Sequence, residues 1–259
     1  MTKILLNIFK KNFFFVIIKK IFKKIEKNTS YEATQWAKNN ISHNTEQLCK
    51  LIDSKLYNKI LPDISAIEKD ANKNLLKLNI SIGGASNYVL LYFLVRKLAP
   101  NNVVETGVAG GWSSLFILRA LKKNGKGKLY SSDFPYFRLE EPEKYIGYLA
   151  KNEINKKDWY LDIRGDDVAI PEILKRVGDE KIDLIHYDSD KSYSGRDNVL
   201  KRLKPKINNK TIIIFDDIQN NLHFKNLIKT NKKNYFILEF QGKYLGIIGL
   251  NNLLRKEYN

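Results

Sequence analysis

The chain has 259 residues, of which 43% are hydrophobic, and carries a formal net charge of +17. This length suffices for one sizeable core with an appendage or for two small domains. The single cysteine, Cys49, excludes an intramolecular disulfide and a metal site of several cysteines, and it fits a cytoplasmic location. The positive charge favours acidic partners in general. No zinc-finger spacing or aromatic–basic platform accompanies it, so dedicated nucleic-acid binding is not predicted.

Residues 1–28 predict a basic amphipathic helix, because the apolar residues share one stripe and the lysines lie mainly off it. The apolar run 13–18 is far shorter than the roughly 20 residues that a membrane-spanning helix needs. Such a helix suits peripheral contact with an anionic membrane. It suits equally well a contact with the rest of the chain or with a second subunit in a homodimer, and the sequence leaves these alternatives open.

Residues 29–84 predict a helical cap or lid. Apolar residues recur at helical spacing from Trp36 onward, and Pro62 is expected to interrupt the pattern. A glycine-containing turn at 81–86 ends this segment. The remaining residues, 85–259, are then expected to form the principal domain.

From residue 85 onward, apolar strand-like runs alternate with helical segments, which predicts a Rossmann-like, doubly wound α/β sheet. The predicted strands cover 103–106, 128–132, 159–163, 182–187, 211–215, 235–240 and 244–250. The predicted helices between them cover 112–123, 140–152, 168–177 and 194–203. Only three residues separate the last two strands, so they must form a hairpin, and the seven-stranded sheet is expected to be mostly parallel with an antiparallel last strand.

The first predicted strand ends in VVETGVAGGWSS. The small residues Gly107, Ala109 and Gly111 allow a tight turn and the close approach of a ligand, and the helix that begins near Ser113 directs free N–H groups at that turn. A carboxylate at Glu105 is awkward beside a pyrophosphate but suits a ligand that carries an ammonium and a sulfonium. The turn therefore favours S-adenosylmethionine over NAD, with a salt-bridge or helix-dipole role for Glu105 as the alternative.

Two further acidic positions follow the next strands. Asp133 ends the second strand, where a carboxylate can accept the two hydroxyls of a ribose. Gly165, Asp166 and Asp167 follow the third strand. Asp166 or Asp167 is expected to accept the exocyclic amine of an adenine, and Asp167 alternatively caps the following helix.

A second acidic group follows the fourth and fifth strands, in IHYDSDKSY and TIIIFDD. Asp188, Asp216 and Asp217 are expected to meet at one edge of the sheet, because neighbouring parallel strands end there. Three close carboxylates repel one another without a cation, and oxygen ligands of this kind suit Mg²⁺ or Ca²⁺. His186 is expected to face away from Asp188 and to be a satisfied core histidine.

The motifs VVETGVAGG, SSDFP, RGDD, IDLIHYD and TIIIFDD occur in the order and spacing of class I S-adenosylmethionine-dependent methyltransferases. Over roughly residues 85–250, the chain resembles the O-methyltransferase branch, which includes catechol-type enzymes and enzymes of glycans and secondary metabolites. The resemblance implies a seven-stranded sheet with an antiparallel last strand, and adenosylmethionine bound at the carboxyl ends of the first strands. Two departures are Ala109 in place of the middle glycine and the bulky Trp112.

The resemblance to the metal-dependent catechol-type enzymes also implies roles for the second acidic group. Asp188 and Asp216 would bind the metal, and Asp188 would also border the cofactor. Asp217 stands where those enzymes have an amide, and Lys191, three residues after Asp188, matches their general base. The predicted reaction is transfer of a methyl group to a hydroxyl of a small molecule or glycan, with Lys191, Asp188 and Asp216 as catalytic residues.

Three other functions fit parts of the sequence. A methyltransferase without a metal would use Lys191 or His223 as the base. An NAD-dependent oxidoreductase would share the glycine turn, but Glu105 and the terminal hairpin argue against it. A non-catalytic adenosylmethionine-binding protein would keep the turn and lack the chemistry. The motifs do not identify the acceptor.

Overall fold

The computed structural model describes residues 28–134, 139, 141–151, 157–231 and 234–254, and a seven-stranded sheet lies at its centre. The strands are β1 (Asn102–Thr106), β2 (Lys128–Ser132), β3 (Trp159–Asp162), β4 (Leu184–Tyr187), β5 (Ile212–Phe215), β6 (Tyr235–Phe240) and β7 (Lys243–Ile248). Their order in the sheet is β3–β2–β1–β4–β5–β7–β6.

Eight α-helices belong to the described residues. They are α1 (Ser30–Asn39), α2 (Thr45–Leu75), α3 (Tyr88–Leu98), α4 (Trp112–Asn124), α5 (Asp166–Val177), α6 (Tyr193–Leu203), α7 (His223–Asn231) and α8 (Asn251–Leu254). Three short 3₁₀ helices complete the described helical elements, at Pro142–Lys144, Lys204–Lys206 and Ile218–Asn220.

The predicted α/β fold is confirmed. Strands β1 to β5 are parallel, whereas β7 runs antiparallel to β5 and forms a hairpin with β6. The strand order reverses between β1 and β4, since β1 leads outward to β2 and β3 on one side and β4 leads to β5 on the other. In open α/β sheets, ligands bind outside the carboxyl ends of the strands at such a point. The glycine turn after β1 and the acidic segment after β4 therefore flank the expected binding crevice.

The sheet separates two layers of apolar side chains. On one face, Val103 and Leu184 pack with residues of α2, α3 and α4. On the opposite face, Val104 and Ile185 pack with residues of α5, α6 and α7. Consecutive strand residues thus enter different layers, as expected for a parallel sheet covered by helices on both faces. Both layers hold the carboxyl ends of β1, β4 and β5 in fixed positions.

The N-terminal helices α1 and α2 pack directly on the sheet domain. Leu48 of α2 belongs to the same apolar cluster as Val103 of β1. The backbone N–H of Leu222 donates to Thr29 Oγ1 over 3.3 Å, which joins the start of α1 to the segment after β5. The subdivision into a cap (29–84) and a principal domain stays a prediction.

The amphipathic helix predicted for residues 1–28 falls, apart from its last position, outside the described residues. Within the described ranges, no helix combines the length and apolar character needed to cross a bilayer. The structure thus leaves membrane contact by this segment as a prediction.

The helix predicted for residues 140–152 is wrong. The described part of this segment contains a 3₁₀ helix, Pro142–Lys144, followed by turns up to residue 151. Gly147 has φ +67, and a side chain there would meet the ring of Trp159. A left-handed glycine packed against an aromatic ring interrupts a helix, so tertiary contact here overrides the apolar spacing.

The predicted interruption at Pro62 is also misplaced. Pro62 lies inside α2, and the non-helical residue of that helix is Asp53, with φ −165° and ψ 94°. The Asp53 carboxylate accepts a hydrogen bond from the N–H of Leu56 over 2.9 Å. This is the contact of a helix N-cap, so Asp53 ends one helical run and begins the next.

Candidate active site at the carboxyl edge of the sheet

The glycine turn after β1 packs tightly against the end of β4. Gly107 has φ +82, and a Cβ atom on it would lie 2.5 Å from the backbone oxygen of Asp188. Ala109, the alanine in place of the middle glycine, also has a positive φ of 48. Gly111, the last small residue, is the N-terminal cap of α4. Gly107 therefore has no room for a side chain, because its backbone contacts that of Asp188, and the turn borders the acidic segment after β4.

Asp133, predicted to contact a ribose, binds the glycine turn itself. Its Oδ2 accepts hydrogen bonds from the backbone N–H groups of Val108 (3.0 Å) and Ala109 (2.6 Å). Its Oδ1 accepts one from the N–H of Phe134 over 2.5 Å. Burial raises the pKa of Asp133 to about 6, although these N–H groups act in the opposite direction. The structure thus assigns Asp133 a role in shaping the turn, and its ribose contact stays a prediction.

Glu105 is fully buried within the fold. Its carboxylate accepts hydrogen bonds from the hydroxyls of Ser113 (2.5 Å), Ser114 (2.6 Å) and Ser131 (2.8 Å). The Nδ1 atom of His186 lies 3.7 Å away. Among the described residues, these groups already satisfy both carboxylate oxygens, so Glu105 and Ser113 are joined to each other inside the fold. Contact of either residue with a cofactor is not part of this geometry and stays a prediction.

Asp166 connects the ends of several strands. It is the first residue of α5, after Gly165 at the cap. The hydroxyls of Ser132 and Ser189 each donate to its carboxylate over 2.6 Å. The Ser189 hydroxyl also lies within hydrogen-bond distance of Thr106 Oγ1, at 3.1 Å. Asp166 therefore belongs to the carboxyl edge shared by β1, β2 and β4, where the cofactor is expected.

Asp167 points to a different part of the molecule. Its Oδ1 accepts hydrogen bonds from Asn198 Nδ2 (2.9 Å) and Arg202 Nη2 (3.2 Å), both on α6. The alternative in which Asp167 caps the helix is wrong, because α5 begins at Asp166 and Gly165 occupies the cap. The structure thus joins Asp167 to a neighbouring helix and does not bring it to the crevice.

The second acidic group includes a histidine. One ligand atom each from His186, Asp188 and Asp216 lies within 4.8 Å of the other two. The prediction that His186 faces away from Asp188 is wrong, since residues two apart on a strand face the same side. It is not a satisfied core histidine either, because its Nδ1 has no hydrogen-bond partner among the described residues. Burial lowers the pKa of His186, and the neighbouring carboxylates, with Glu105 foremost, outweigh that effect and raise it.

Lys191 lies between two of the predicted metal-binding carboxylates. Its Nζ atom forms an ion pair with Asp188 and a second one with Asp217 at 3.1 Å. Burial lowers the pKa of Lys191, but Asp188, Asp217 and Asp216 together outweigh burial and raise it above the ordinary value. Lys191 therefore carries a proton in this arrangement.

Asp217 is directed at cations rather than at the other carboxylates. Besides Lys191, its partners include Lys243, whose Nζ lies 3.5 Å from Oδ1. Burial raises the pKa of Asp217, and the two lysines outweigh burial and lower it. The group with metal-binding geometry contains His186 in the place predicted for Asp217. The assignment of Asp217 as a ligand stays a prediction that this geometry does not favour.

Asp216, one of the predicted catalytic residues, has a buried carboxylate. It is 6% exposed. Burial and the nearby charge of Asp188 raise the pKa of Asp216 to about 6, although His186 and Lys191 oppose them. Perturbed titration of this kind is concentrated at functional sites.

Arg196, which sequence reasoning missed, holds the end of β5. It is fully buried, and its Nη2 donates to the backbone oxygens of Asp216 (2.9 Å) and Asp217 (2.8 Å). Asp217 adopts a left-handed backbone with φ 52, so the clamp fixes an uncommon turn. A signal was present, since Arg196, Val199 and Leu203 share the buried face of α6 at helical spacing.

His223, the alternative base, packs against the ring of Tyr193. It is buried, and its ring centroid lies 5.0 Å from that of Tyr193. Burial, reinforced by Arg196, lowers the pKa of His223 to about 4. A neutral imidazole with so low a pKa is a weak base near neutral pH.

Residues 104–218 match a protein-family model described as a methyltransferase domain. This range begins in β1 and ends just after Asp216 and Asp217, so it contains both acidic groups. A comparison with curated proteins finds no match.

Several solved structures with the same fold are methyltransferases. An O-methyltransferase from Bacillus cereus in complex with SAH superposes with a TM-score of 0.56 at 17% identity, covering 76% of this chain and 96% of that one. An O-methyltransferase of tomaymycin synthesis from Streptomyces achromogenes, in complex with SAM, gives 0.53 at 15% identity, covering 71% and 87%. An SAH-bound methyltransferase from Podospora anserina gives 0.56 at 12% identity, covering 71% and 86%.

Proposed function

We propose that this chain, a class I methyltransferase by its matched domain and its fold, transfers a methyl group from S-adenosylmethionine to a hydroxyl of a small molecule or glycan. The observation that carries the proposal is the convergence of Asp188, Asp216 and Lys191 beside the glycine turn. These groups lie where two parallel strands end at the reversal of strand order. Such a position suits a reaction between a cofactor over β1 and an acceptor over β4 and β5.

The cofactor is proposed to lie against the turn at Gly107, Ala109 and Gly111, with Asp133 and Asp166 at its borders. The turn has no bulky side chain, and the N-terminus of α4 directs free N–H groups toward it. Structures of the same fold contain SAH or SAM, which supports the same cofactor here. Glu105 contributes indirectly, since its serine partners fix the strand end from which the turn departs.

The second acidic group has the donors for a divalent cation. Asp188 and Asp216 offer carboxylate oxygens, His186 offers a ring nitrogen, and the three ligand atoms are within reach of one ion. The pKa of Asp216 is raised by burial first and then by the charge of Asp188, and two carboxylates so placed suit a cation site. A divalent cation bound there would polarise the acceptor hydroxyl and lower its pKa.

Lys191 is proposed to take the acceptor proton. Its carboxylate partners now keep it protonated, and the charge of Asp188 is the strongest of these influences. Neutralisation of Asp188 would remove the strongest effect that opposes burial, and so would lower the pKa of the Lys191 amine. The chain would then hold a base beside the acceptor, while Asp217 keeps the Lys191 side chain in place.

Labelled cofactor tests this function directly. The purified full-length chain is incubated with S-adenosylmethionine that carries a deuterated methyl group and with two panels of acceptors, phenols and sugars. The products are identified by mass spectrometry. We expect a labelled methyl ether in one panel, and its loss in Asp216→Asn. Failure to bind S-adenosylmethionine in a calorimetric titration would refute the proposal.

A reaction without a metal is the second candidate, and one observation favours it. The ammonium of Lys191 already lies between Asp188 and Asp217, so the chain supplies its own cation at this site. Chelation separates the two mechanisms. Methyl transfer that survives EDTA and prolonged dialysis points to the reaction without a metal, whereas loss that Mg²⁺ or Mn²⁺ restores points to a metal.

Two further proposals concern contacts of the N-terminal segment with a membrane or with a second copy of the chain. We propose that residues 1–28 contact an anionic membrane through their lysines, and that a homodimer is the competing use of the segment. Vesicle flotation of the full chain, with and without lysine-to-glutamine changes in this segment, tests the first. Sedimentation of the same two proteins tests the second.

A further inference from the structure

A cavity of about 740 Å³ lies at the edge of the sheet opposite the candidate active site. Its lining includes Asn102 at the start of β1, Lys128 at the start of β2 and residues from the C-terminal parts of α4 and α5. Because β1 and β2 are parallel, this is their amino edge, whereas the candidate active site is at the carboxyl edge. A volume of several hundred cubic ångströms is typical of small-molecule sites.

The rim of this cavity is strongly basic. Five of its lining residues are cationic and two are acidic; the cations are Arg119, Lys122, Lys126, Lys128 and Arg176, and the acids are Asp158 and Glu180. The three lysines are exposed, and none of them forms an ion pair with another described residue. A concave site lined by one sign of charge raises the local concentration of ligands of the other sign.

Two neighbours restrain the charged groups of the rim. The guanidinium of Arg176 lies over the ring of Tyr160, 3.8 Å from its centroid, which holds the cation in place. Glu180 accepts a hydrogen bond from Asn102 Nδ2 over 2.6 Å, so one of the two acids is engaged in the structure. The net charge of the rim is positive because five cationic residues outnumber two acidic ones.

The floor of the cavity is apolar. It is lined by buried side chains, namely Leu118, Leu121, Tyr130 and Val177. An apolar floor below a basic rim suits a ligand that has an uncharged body and an anionic group at one end. Inorganic ions alone would leave the floor unused.

We propose that this cavity binds a phosphate-bearing ligand, with Lys122, Lys126 and Lys128 on the phosphate. Lysines contact phosphate as point charges and need no fixed geometry, which matches their exposed positions. The phosphate has two sources of the same chemistry, a soluble phosphate ester and the headgroup of an anionic lipid. This site does not depend on the methyltransferase reaction.

A charge-matched pair of variants tests the proposal in the full-length chain. The first is Lys122→Gln, Lys126→Gln and Lys128→Gln combined. The control is Lys55→Gln, Lys59→Gln and Lys69→Gln, which removes the same charge from exposed positions of α2. Binding of glucose 1-phosphate by calorimetry probes the soluble source, and binding to vesicles that contain phosphatidic acid probes the lipid source.

We expect the first variant to lose about tenfold in affinity for one of the two probes, since each rim charge contributes modestly. The control should lose less than about twofold on that probe. Loss on glucose 1-phosphate identifies a soluble ligand, and loss on vesicles identifies a headgroup. Equal behaviour of both variants on both probes, or no binding to either probe, overturns the proposal.

A substitution of opposite sign strengthens the test. Glu180→Gln removes a negative charge from the rim and keeps an oxygen that can accept from Asn102. We expect affinity for the same probe to rise about twofold to threefold. A fall in affinity would contradict a phosphate at this position.

Discussion

Two acidic groups lie at the same edge of one sheet, and their surroundings are opposite. Near the end of β1, the carboxylate of Glu105 is enclosed by three serine hydroxyls. After β4 and β5, Asp188 and Asp216 lie close together, with Lys191 paired to Asp188 as the nearest amine. The first group is satisfied by hydrogen bonds, whereas in the second, burial and then the charge of Asp188 raise the pKa of Asp216.

The difference between the two groups distinguishes acidic residues that stabilise the fold from acidic residues that are available for catalysis. A carboxylate that accepts hydrogen bonds from neutral hydroxyls is satisfied and needs no further partner. Carboxylates that face one another keep an affinity for a cation or a proton, which is what a catalytic site requires. The five predictions below test this distinction, from the largest expected effect to the smallest.

The largest effect is expected at the backbone contact between Gly107 and Asp188, which joins the two acidic groups. Gly107→Ala places a Cβ atom 2.5 Å from the Asp188 backbone oxygen at φ +82, so we expect a loss of more than about 3 kcal/mol in unfolding free energy together with loss of cofactor binding. Thermal unfolding and calorimetry measure both. Gly125→Ala is the control, since φ is +71 but nothing lies within 4 Å, and about 1–2 kcal/mol is expected. Equal effects of the two changes would contradict the contact.

Asp216→Asn should separate catalysis from stability. We expect methyl transfer to fall by about 100-fold or more, because a catalytic carboxylate is lost. At pH 7.5 without a metal, the fold should be stabilised by roughly 1–3 kcal/mol, because a buried repelling charge is removed. A variant that loses activity together with stability would contradict the second half of the comparison.

The pH dependence of that gain has a defined sign. The pKa of Asp216 is higher in the folded chain, about 6, than its ordinary value of 3.8, so folding favours the protonated form. The wild type is therefore destabilised by this group above pH 6 and recovers as the pH falls from 6 toward 4. Denaturant titration of both proteins should show their difference shrinking across that window. A difference independent of pH would contradict it.

Glu105→Gln tests the first half of the comparison. The amide replaces one acceptor oxygen with a donor that faces serine hydroxyls, so we expect a loss of about 1–3 kcal/mol in unfolding free energy. Affinity for S-adenosylmethionine, measured by calorimetry on the folded protein, should change by less than about threefold. A tenfold loss of affinity at unchanged stability would instead identify Glu105 as a cofactor ligand.

Asp167→Asn should have the smallest effect. Its partners Asn198 and Arg202 are on α6, and the ion pair with Arg202 is partly exposed. We expect a change of less than about 1 kcal/mol in stability and unchanged cofactor affinity. A marked loss of affinity would restore the predicted contact with adenine.

Much of the fold could be predicted because its signals are local. Alternation of strands and helices, the three-residue spacing of the last hairpin and the order of the motifs all depend on neighbouring residues. They sufficed for the α/β sheet, which is confirmed, and for the resemblance to methyltransferases, which agrees with the methyltransferase domain matched over residues 104–218. The false helix near 140–152 arose where a single contact, Gly147 against Trp159, overrides the local pattern.

The partners of the site residues could not be predicted, because they come from distant parts of the chain. Glu105 accepts a hydrogen bond from Ser131, which lies 26 positions away on β2. No sequence spacing predicts that contact. The direction of Asp217 depends on Lys243 of β7. His186 is a different case, since its separation from Asp188 by two residues already places both side chains on the same side of the strand.

The connection between α1 and α2 has a consequence for how copies of the chain can associate. Ser42 donates its N–H to the oxygen of Ile237 over 3.0 Å, and its hydroxyl accepts the Ile237 N–H over 3.2 Å. Ile237 is in β6, at the outer edge of the sheet, where exposed N–H and C=O groups would otherwise template strand addition. One serine thus blocks strand addition at the middle of β6, so this edge of the sheet is not expected to pair with a second copy of the chain.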